Sequence, residues 1–401
     1  MYLKNKILII HPEGNINNNP NLSGIVEVLC ENDFLVTIYS PKKHFYQKSP
    51  HYSAKLTLRN SILEGYKWKL VNAVQNHFII SIIFSIFVRS IANYDFIIGV
   101  DQQGIIEANS IAKRLKIPYA LISYEIMFRD ESNEHFKNLE IRACNDITFA
   151  VCQDKLRGKK LSTENSIPLH KIIHIPVAGR GAKRGPKTKY LHKKLNIPSN
   201  KKIALYAGSL FEFAMLDELI DGLAYWPEQW VFVLHDRYGI FDNIANKIKP
   251  YIDTGRLYVS QDSISEHKDI HILLHAADIG IAFYRPTYKN ANAGKNLEFL
   301  GLSSGKIATY LQHGLPIVTN EIGEMSDFIR TNDIGAVVPD ISCVPDALNN
   351  LRDLEDCRNR CFTFFERRLD LNRAAPLLID RIKSIFSQRQ ISKLRRLWKR
   401  S

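Results

Sequence analysis

The residues best suited to chemistry in this sequence are Ser303, Ser304, Gly305 and Lys306, followed by Ile307–Gln312, Gly314, Pro316 and the apolar pair Ile317-Val318. Three small residues in a row let backbone N–H groups approach a ligand closely. A helix begun there points the positive end of its dipole at the same place. Lys306 adds a full charge, and Gly314 with Pro316 stops the helix before a strand. The pattern predicts a cradle for a phosphate group. It lacks the Gly-x4-Gly-Lys-Ser/Thr spacing of a P-loop, and a serine-rich helix start is also an ordinary N-cap.

Carboxylates and one histidine stand where further chemistry could sit. Asp101 follows the apolar run Phe96–Val100, Glu125 follows Tyr119–Ser123, and His11 follows Ile7–Ile10. In a doubly wound sheet those are C-terminal strand ends, where ligands bind. Each has a structural alternative: Asp101 as a helix cap, Glu125 as a partner for Arg129. Glu140 lies in a helix expected over Glu134–Asn145.

The elements that must position these residues read as repeated βα units. The first strand, Ile7–Ile10, leads through an Asn- and Gly-rich loop to a helix near Leu22–Asn32 and a strand at Phe34–Tyr39. Gly14 and Gly24 do not form Gly-x-Gly-x-x-Gly, so the dinucleotide fingerprint is absent. A second series begins at Ile203–Tyr206, whose end offers Gly208 and Ser209. It continues through a helix at Leu216–Leu223 and strands at Trp230–Leu234, Arg256–Val259 and Ile279–Phe283. Between the series, 178–187 is rich in Gly, Pro and basic residues and reads as a solvated linker. The fold class is therefore α/β, with two Rossmann-like domains facing an inter-domain cleft. The boundaries are placed at 1–180, 181–375 and a crossover helix with basic tail at 376–401.

Composition narrows the function. At 401 residues the chain is long enough for two cores, and 45% hydrophobic with 24% charged residues is ordinary for a globular protein. The net charge is +13, but the last 21 residues hold eight Lys/Arg and no acid, leaving +5 for the rest. No aromatic residues interleave the basic cluster at 178–187, and no reader motif accompanies it, which argues against nucleic acid. Six cysteines without a Cys-x2-Cys pair fit a reducing compartment and no metal site. The first apolar run is too short for a signal peptide, and no run reaches a membrane span. A cytoplasmic protein is expected. The most apolar stretch, 78–88, is either a helix buried against the sheet or a patch dipping into a membrane interface. The tail, with Arg389, Lys393, Arg395, Arg396, Lys399 and Arg400 beside Trp398, suits an anionic membrane surface as well as a solvated terminus.

The stretch from Lys306 to Val318 closely resembles the donor-binding segment of two-domain glycosyltransferases of the GT-B fold. Their Lys-(Leu/Ile)-x-x-Tyr-(Leu/Met)-x-x-Gly-x-Pro-(Ile/Val)-(Ile/Val) pattern is matched by Lys306, Ile307, Tyr310, Leu311, Gly314, Pro316, Ile317 and Val318. The resemblance implies that Lys306 meets the diphosphate of a nucleotide-sugar donor. Ser303, Ser304, Gly305, Gly208 and Ser209 would complete that site, and Asp327 would hold the acidic position of a Gly-Gly-x-x-Glu segment. It further implies a metal-independent hexosyl transfer to a glycan or lipid-linked acceptor. Asp101, Glu125 or His11 would be the base if the anomeric centre inverts. Ser-Ser-Gly-Lys resembles bacterial surface-polysaccharide transferases, including lipopolysaccharide and capsule enzymes, which places the protein at the inner face of the membrane. The chain departs from the largest related family where a Glu-x7-Glu pair would fall on Gly301 and Thr309. Two alternatives follow: a nucleotide-sugar epimerase, which turns over without acceptor, and a non-catalytic partner subunit, which binds donor without transfer.

Overall fold

The computed structural model describes residues 5–12, 16, 19–40, 56–60, 94–208, 212–236, 244–260, 270–289 and 293–398. Gly14, Ser209 and the apolar stretch 78–88 lie outside the described residues. The chain divides into two compact units, Met1–Ile175 with Ala374–Ser401, and Pro176–Arg373.

In the first unit the described strands are β1 (Lys6–Ile10), β2 (Leu35–Ser40), β3 (Leu56–Asn60), β4 (Phe96–Val100), β5 (Tyr119–Ile122), β6 (Ala150–Cys152) and β7 (Ile172–His174). They form one sheet in the order β3-β2-β1-β4-β5-β6-β7. Every pairing is parallel. Parallel strands are covered by helices on both faces, so their sequences are continuous apolar runs rather than alternating ones. Accordingly every residue of β4 and β5 is buried. The order reverses between β1 and β4, and the strand ends there carry His11 and Asp101.

The second unit repeats the scheme with β8 (Lys202–Gly208), β9 (Trp230–Asp236), β10 (Leu257–Ser260), β11 (Ile279–Ile281), β12 (Ile317–Thr319) and β13 (Gly335–Val337). Their order is β10-β9-β8-β11-β12-β13, again parallel, with the reversal between β8 and β11. Side chains alternate between two cores. Ile203, Leu205, Val231 and Val233 point to one face with Ile307, Tyr310 and Leu311. Ala204, Tyr206, Trp230, Phe232 and Leu234 point to the other. Each fully buried large apolar side chain contributes about 1.5–3 kcal/mol, so the cradle helix is held to the sheet by its own sequence pattern.

One expectation is revised by packing. The segment 178–187 is bound into the second unit rather than solvated throughout. Ala178 is buried, and the Gly181 amide donates to Asp370 at 2.9 Å. The Lys183 amide donates to the Gln312 carbonyl at 2.7 Å, and the Gln312 side chain donates back to the Gly181 carbonyl at 2.9 Å. Gly and Pro keep the segment from forming a regular element, yet its buried polar backbone still has to be satisfied. The late helix, Leu371–Trp398, runs onto the N-terminal edge of the first sheet. There Phe386 packs 5.7 Å from Phe34 and 6.2 Å from Phe96. Arg389, the first residue of the basic tail cluster, donates to the carbonyls of Asp95 at 2.7 Å and Lys116 at 3.2 Å. Among the described residues no helix is long and apolar enough to cross a membrane.

Candidate functional site

The cradle helix spans Gly305–Gln312, with Ser304 as N-cap in extended conformation. The Ser304 hydroxyl accepts from the Ile307 amide at 3.2 Å and pairs with the Tyr284 hydroxyl at 2.7 Å. Ser303 gives its hydroxyl to the Leu300 carbonyl and its amide to the same oxygen. The structure thus commits both serine hydroxyls to building the turn. What the turn presents are the amides of Gly305 and Lys306, which as the first helical residues have no intrahelical acceptor, at the positive end of the helix.

Lys306 is the centre of the arrangement. Its ammonium has no hydrogen-bond or ion-pair partner among the described residues. It sits 3.7 Å from the ring centroid of Tyr206 and 5.5 Å from that of Tyr284. The faces of aromatic rings attract a cation, but they do not neutralise it. Although part of the side chain still touches solvent, burial without a compensating carboxylate lowers its pKa to about 7. Burial pushes the Tyr284 hydroxyl up to about 12 and that of Tyr206 well above its ordinary value, so both rings stay neutral.

Two glycines make this geometry possible. Gly208 ends β8 directly against the lysine, and a Cβ there would stand 2.6 Å from Cε and 2.9 Å from Nζ of Lys306. Gly280 in β11 leaves room for the Tyr310 ring, since a Cβ would come within 2.3 Å of it. Tyr310 in turn fixes the helix at the β8–β11 reversal. Its hydroxyl accepts from the Ala207 amide at 2.9 Å and reaches the Leu205 and Ile281 carbonyls at 3.3 and 3.4 Å. Sequence reasoning missed Tyr206 and Tyr284. The signal was available for Tyr206, because residues two apart on a strand share a face and Tyr206 shares that of Gly208. Asp327 is not drawn into the cluster around Lys306 by any hydrogen bond or ion pair among the described residues, although its helix packs against Gly301–Ser303. It is exposed in the first turn of the helix Glu324–Asn332 and pairs with Arg330 at 3.8 Å.

In the first unit the three proposed bases occupy different environments. Asp101 begins the helix Asp101–Leu115 with a φ of 55°, an unusual value for a non-glycine residue. Its carboxylate accepts from the amides of Tyr124 at 2.6 Å and Glu125 at 3.0 Å, tying the end of β5 to the end of β4. His11 is buried just beyond β1, and its amide donates to Tyr39 at 2.9 Å. Glu125 keeps 44% of its side chain exposed and stands 4.0 Å from Arg157, not Arg129. Partial burial raises its pKa, and Arg157 offsets this in part. Arg157 is itself buried and oriented by Gln153 at 2.7 Å and the Tyr124 carbonyl at 2.8 Å.

Glu140 is wholly structural. It accepts from Lys137 at 3.2 Å, Gln102 at 3.0 Å and Asn165 at 2.8 Å inside the unit. Among the described residues no group of three or more His, Cys, Asp or Glu is placed to hold a metal ion.

Residues 260–358, which contain the cradle, match the family model described as glucosyltransferase 3-like, C-terminal domain. The fold is that of the GT-B glycosyltransferases. It is similar to sucrose-phosphate synthase from Thermosynechococcus elongatus, with a TM-score of 0.69 at 12% identity over 96% of this chain and 100% of that one. It is similar to Alr3699/HepE of Anabaena in complex with UDP-glucose, with a TM-score of 0.68 at 12% identity over 94% and 99%. It is also similar to WaaG, a glycosyltransferase involved in lipopolysaccharide biosynthesis, with a TM-score of 0.60 at 14% identity over 93% and 98%. Compared by sequence with curated proteins, the chain matches none.

Proposed function

We propose that the protein is a glycosyltransferase that takes a hexosyl group from a nucleotide-sugar donor and passes it to a glycan or lipid-linked acceptor in surface-polysaccharide assembly. One observation carries this reading: a lysine with no anion beside it, held at a helix N-terminus by Gly208, Tyr206 and Tyr310. Such a group is matched to a diphosphate. In the transfer, the bond from the sugar's anomeric carbon to the diphosphate oxygen breaks and a bond to an acceptor hydroxyl oxygen forms. Negative charge then develops on the leaving nucleoside diphosphate. Lys306 and the amides of Gly305 and Lys306 stabilise it, with no resident metal required of them. The family-model match over the cradle and the GT-B neighbours, one of them in complex with UDP-glucose, support the donor class.

The acceptor hydroxyl must lose its proton, and of the three candidates Glu125 is the one we assign. Asp101 is engaged by two amides, and His11 is buried. Glu125 is partly exposed, with a pKa raised towards the range useful to a general base. The involvement of WaaG in lipopolysaccharide biosynthesis, together with the Ser-Ser-Gly-Lys resemblance, supports surface polysaccharide as the product class.

The test is calorimetric titration with UDP-, GDP-, ADP- and CMP-sugars at pH 6.5, followed by transfer assays on the donor that binds. Lys306→Ala removes a charge-assisted contact of about 1.5–3 kcal/mol, so donor binding should weaken roughly tenfold to hundredfold. Lys306→Arg should restore it only in part, because a planar fork replaces a point charge against Gly208. Equal affinity in wild type and Lys306→Ala would remove the reading.

A further inference from the structure

The second unit carries another concentration of positive charge at the far end of the same strand. β8 is seven residues long, so its first residue, Lys202, lies about 20 Å from Gly208 at ~3.3 Å per residue. Around Lys202 is a cavity of about 250 Å³ lined by Lys187, Lys189, Lys201, His192 and Asp278 among others. Four lysines and a single carboxylate, Asp278, are therefore among the lining residues. That carboxylate is already used by the fold, taking the Ile203 amide at 2.7 Å on one oxygen and Lys187 on the other.

Lys187 and Lys189 are exposed and Lys201 and Lys202 half-buried, and their side chains find partners at the surface. Lys189 donates to the Ser199 carbonyl at 3.3 Å, and Lys201 to the Glu228 carbonyl at 2.7 Å. Lys202 lies 5.4 Å from the Trp230 ring centroid. His192 braces the wall from within. It is buried, its Nε2 is 2.9 Å from the Lys201 carbonyl, and its Nδ1 is shut away without a hydrogen-bond partner among the described residues. A carbonyl is only an acceptor, so Nε2 carries the proton and donates to it. Lys187 is paired with Asp278, whereas carbonyls and an aromatic ring orient the other three ammonium groups without neutralising them. Like charges gathered in this way repel one another. An anion in the cavity would reverse the sign of that interaction.

We propose that this cavity binds a small phosphate-class anion, of the size of phosphate or diphosphate, at a site distinct from the cradle. Its volume falls below the ~300–1,000 Å³ of pockets that enclose drug-sized ligands, which favours a compact ion over a whole nucleotide sugar. Lysines act there as point charges, and the Ser199 and Asn200 side chains on the same wall supply neutral donors. The proposal does not depend on the transferase reading.

The test uses the full chain carrying Lys306→Ala, so that the cradle does not contribute. Inorganic diphosphate is titrated by calorimetry in about 0.15 M salt, where exposed charges are screened beyond ~8 Å. One equivalent is expected to bind. Adding Lys189→Gln and Lys201→Gln should weaken binding at least tenfold with an unchanged melting midpoint, and Lys201→Glu alone should abolish it. No binding in the Lys306→Ala protein would overturn the proposal, as would binding unaltered by the lysine substitutions.

Discussion

The two C-terminal sheet edges treat their charged groups in opposite ways. At the edge of the first sheet the charges are satisfied by the protein. Asp101 takes two amides, Arg157 is braced by Gln153 and a carbonyl, and Glu140 is enclosed by Lys137, Gln102 and Asn165. At the edge of the second sheet Lys306 faces aromatic rings and a glycine, and no carboxylate stands beside it among the described residues. Buried charges are tolerated when paired, and a charge left without its counterpart lowers stability until a ligand supplies one. Most of the first edge is therefore scaffold, with Glu125 its exception. The second is the binding site proposed above.

The largest effect should come from breaking the scaffold. Lys137→Ala leaves Glu140 buried without its cation, at a cost of about 3–5 kcal/mol. The melting transition should move down by several degrees, while donor affinity in the surviving folded protein stays at the wild-type value. A melt unchanged by this substitution would erase the contrast between the two edges.

The next effect sharpens the contrast through pH. Because the free Lys306 ammonium titrates near pH 7, it is charged below that value and neutral above it. A bound diphosphate favours the charged form, so donor binding takes up a proton above pH 7. Affinity should be level in acid and fall by up to about tenfold per pH unit above 7 until the bound form titrates. Calorimetry from pH 6 to 9, in buffers of different ionisation enthalpy, measures both the slope and the proton. Lys306→Ala should flatten the profile. Stability of the free protein has the opposite sign: the unfolded lysine holds its proton up to its ordinary 10.5, so stability rises with pH between about 7 and that value. A wild-type donor profile without slope would mean that Lys306 meets no anion.

The smallest effect separates cap from ligand. Ser304→Ala removes the bond to the Ile307 amide and the partner of Tyr284, for a loss of about 1 kcal/mol in stability. Donor affinity should change less than about threefold, since the Gly305 and Lys306 amides remain. A tenfold loss would show that the hydroxyl itself binds the donor.

Much of this contrast is legible before folding. The turn, its lysine, the glycine stop and the following strand could be read from the 16 consecutive positions 303–318, because helix capping and termination are local. The strand ends bearing Asp101 and Glu125 were likewise legible from apolar runs. Their use was not. Asp101 serves amides 23 and 24 residues away, and Glu125 meets Arg157 rather than the nearer Arg129.

The sequence by itself therefore determined most of the elements, their parallel βα order, and the small-residue helix start that carries Lys306. Those depend on periodicity and on the conformations open to Gly, Ser and Pro, which act over a few residues. Only the tertiary structure decided which charges are spent and which are left over. It placed Tyr206 and Gly208 of β8 beside Lys306, set Gly280 beneath Tyr310, and drew 178–185 into the second unit. It also gathered four lysines around one occupied carboxylate at the far end of β8. Whether a charge is compensated depends on neighbours brought together from distant parts of the chain, and no local spacing encodes that.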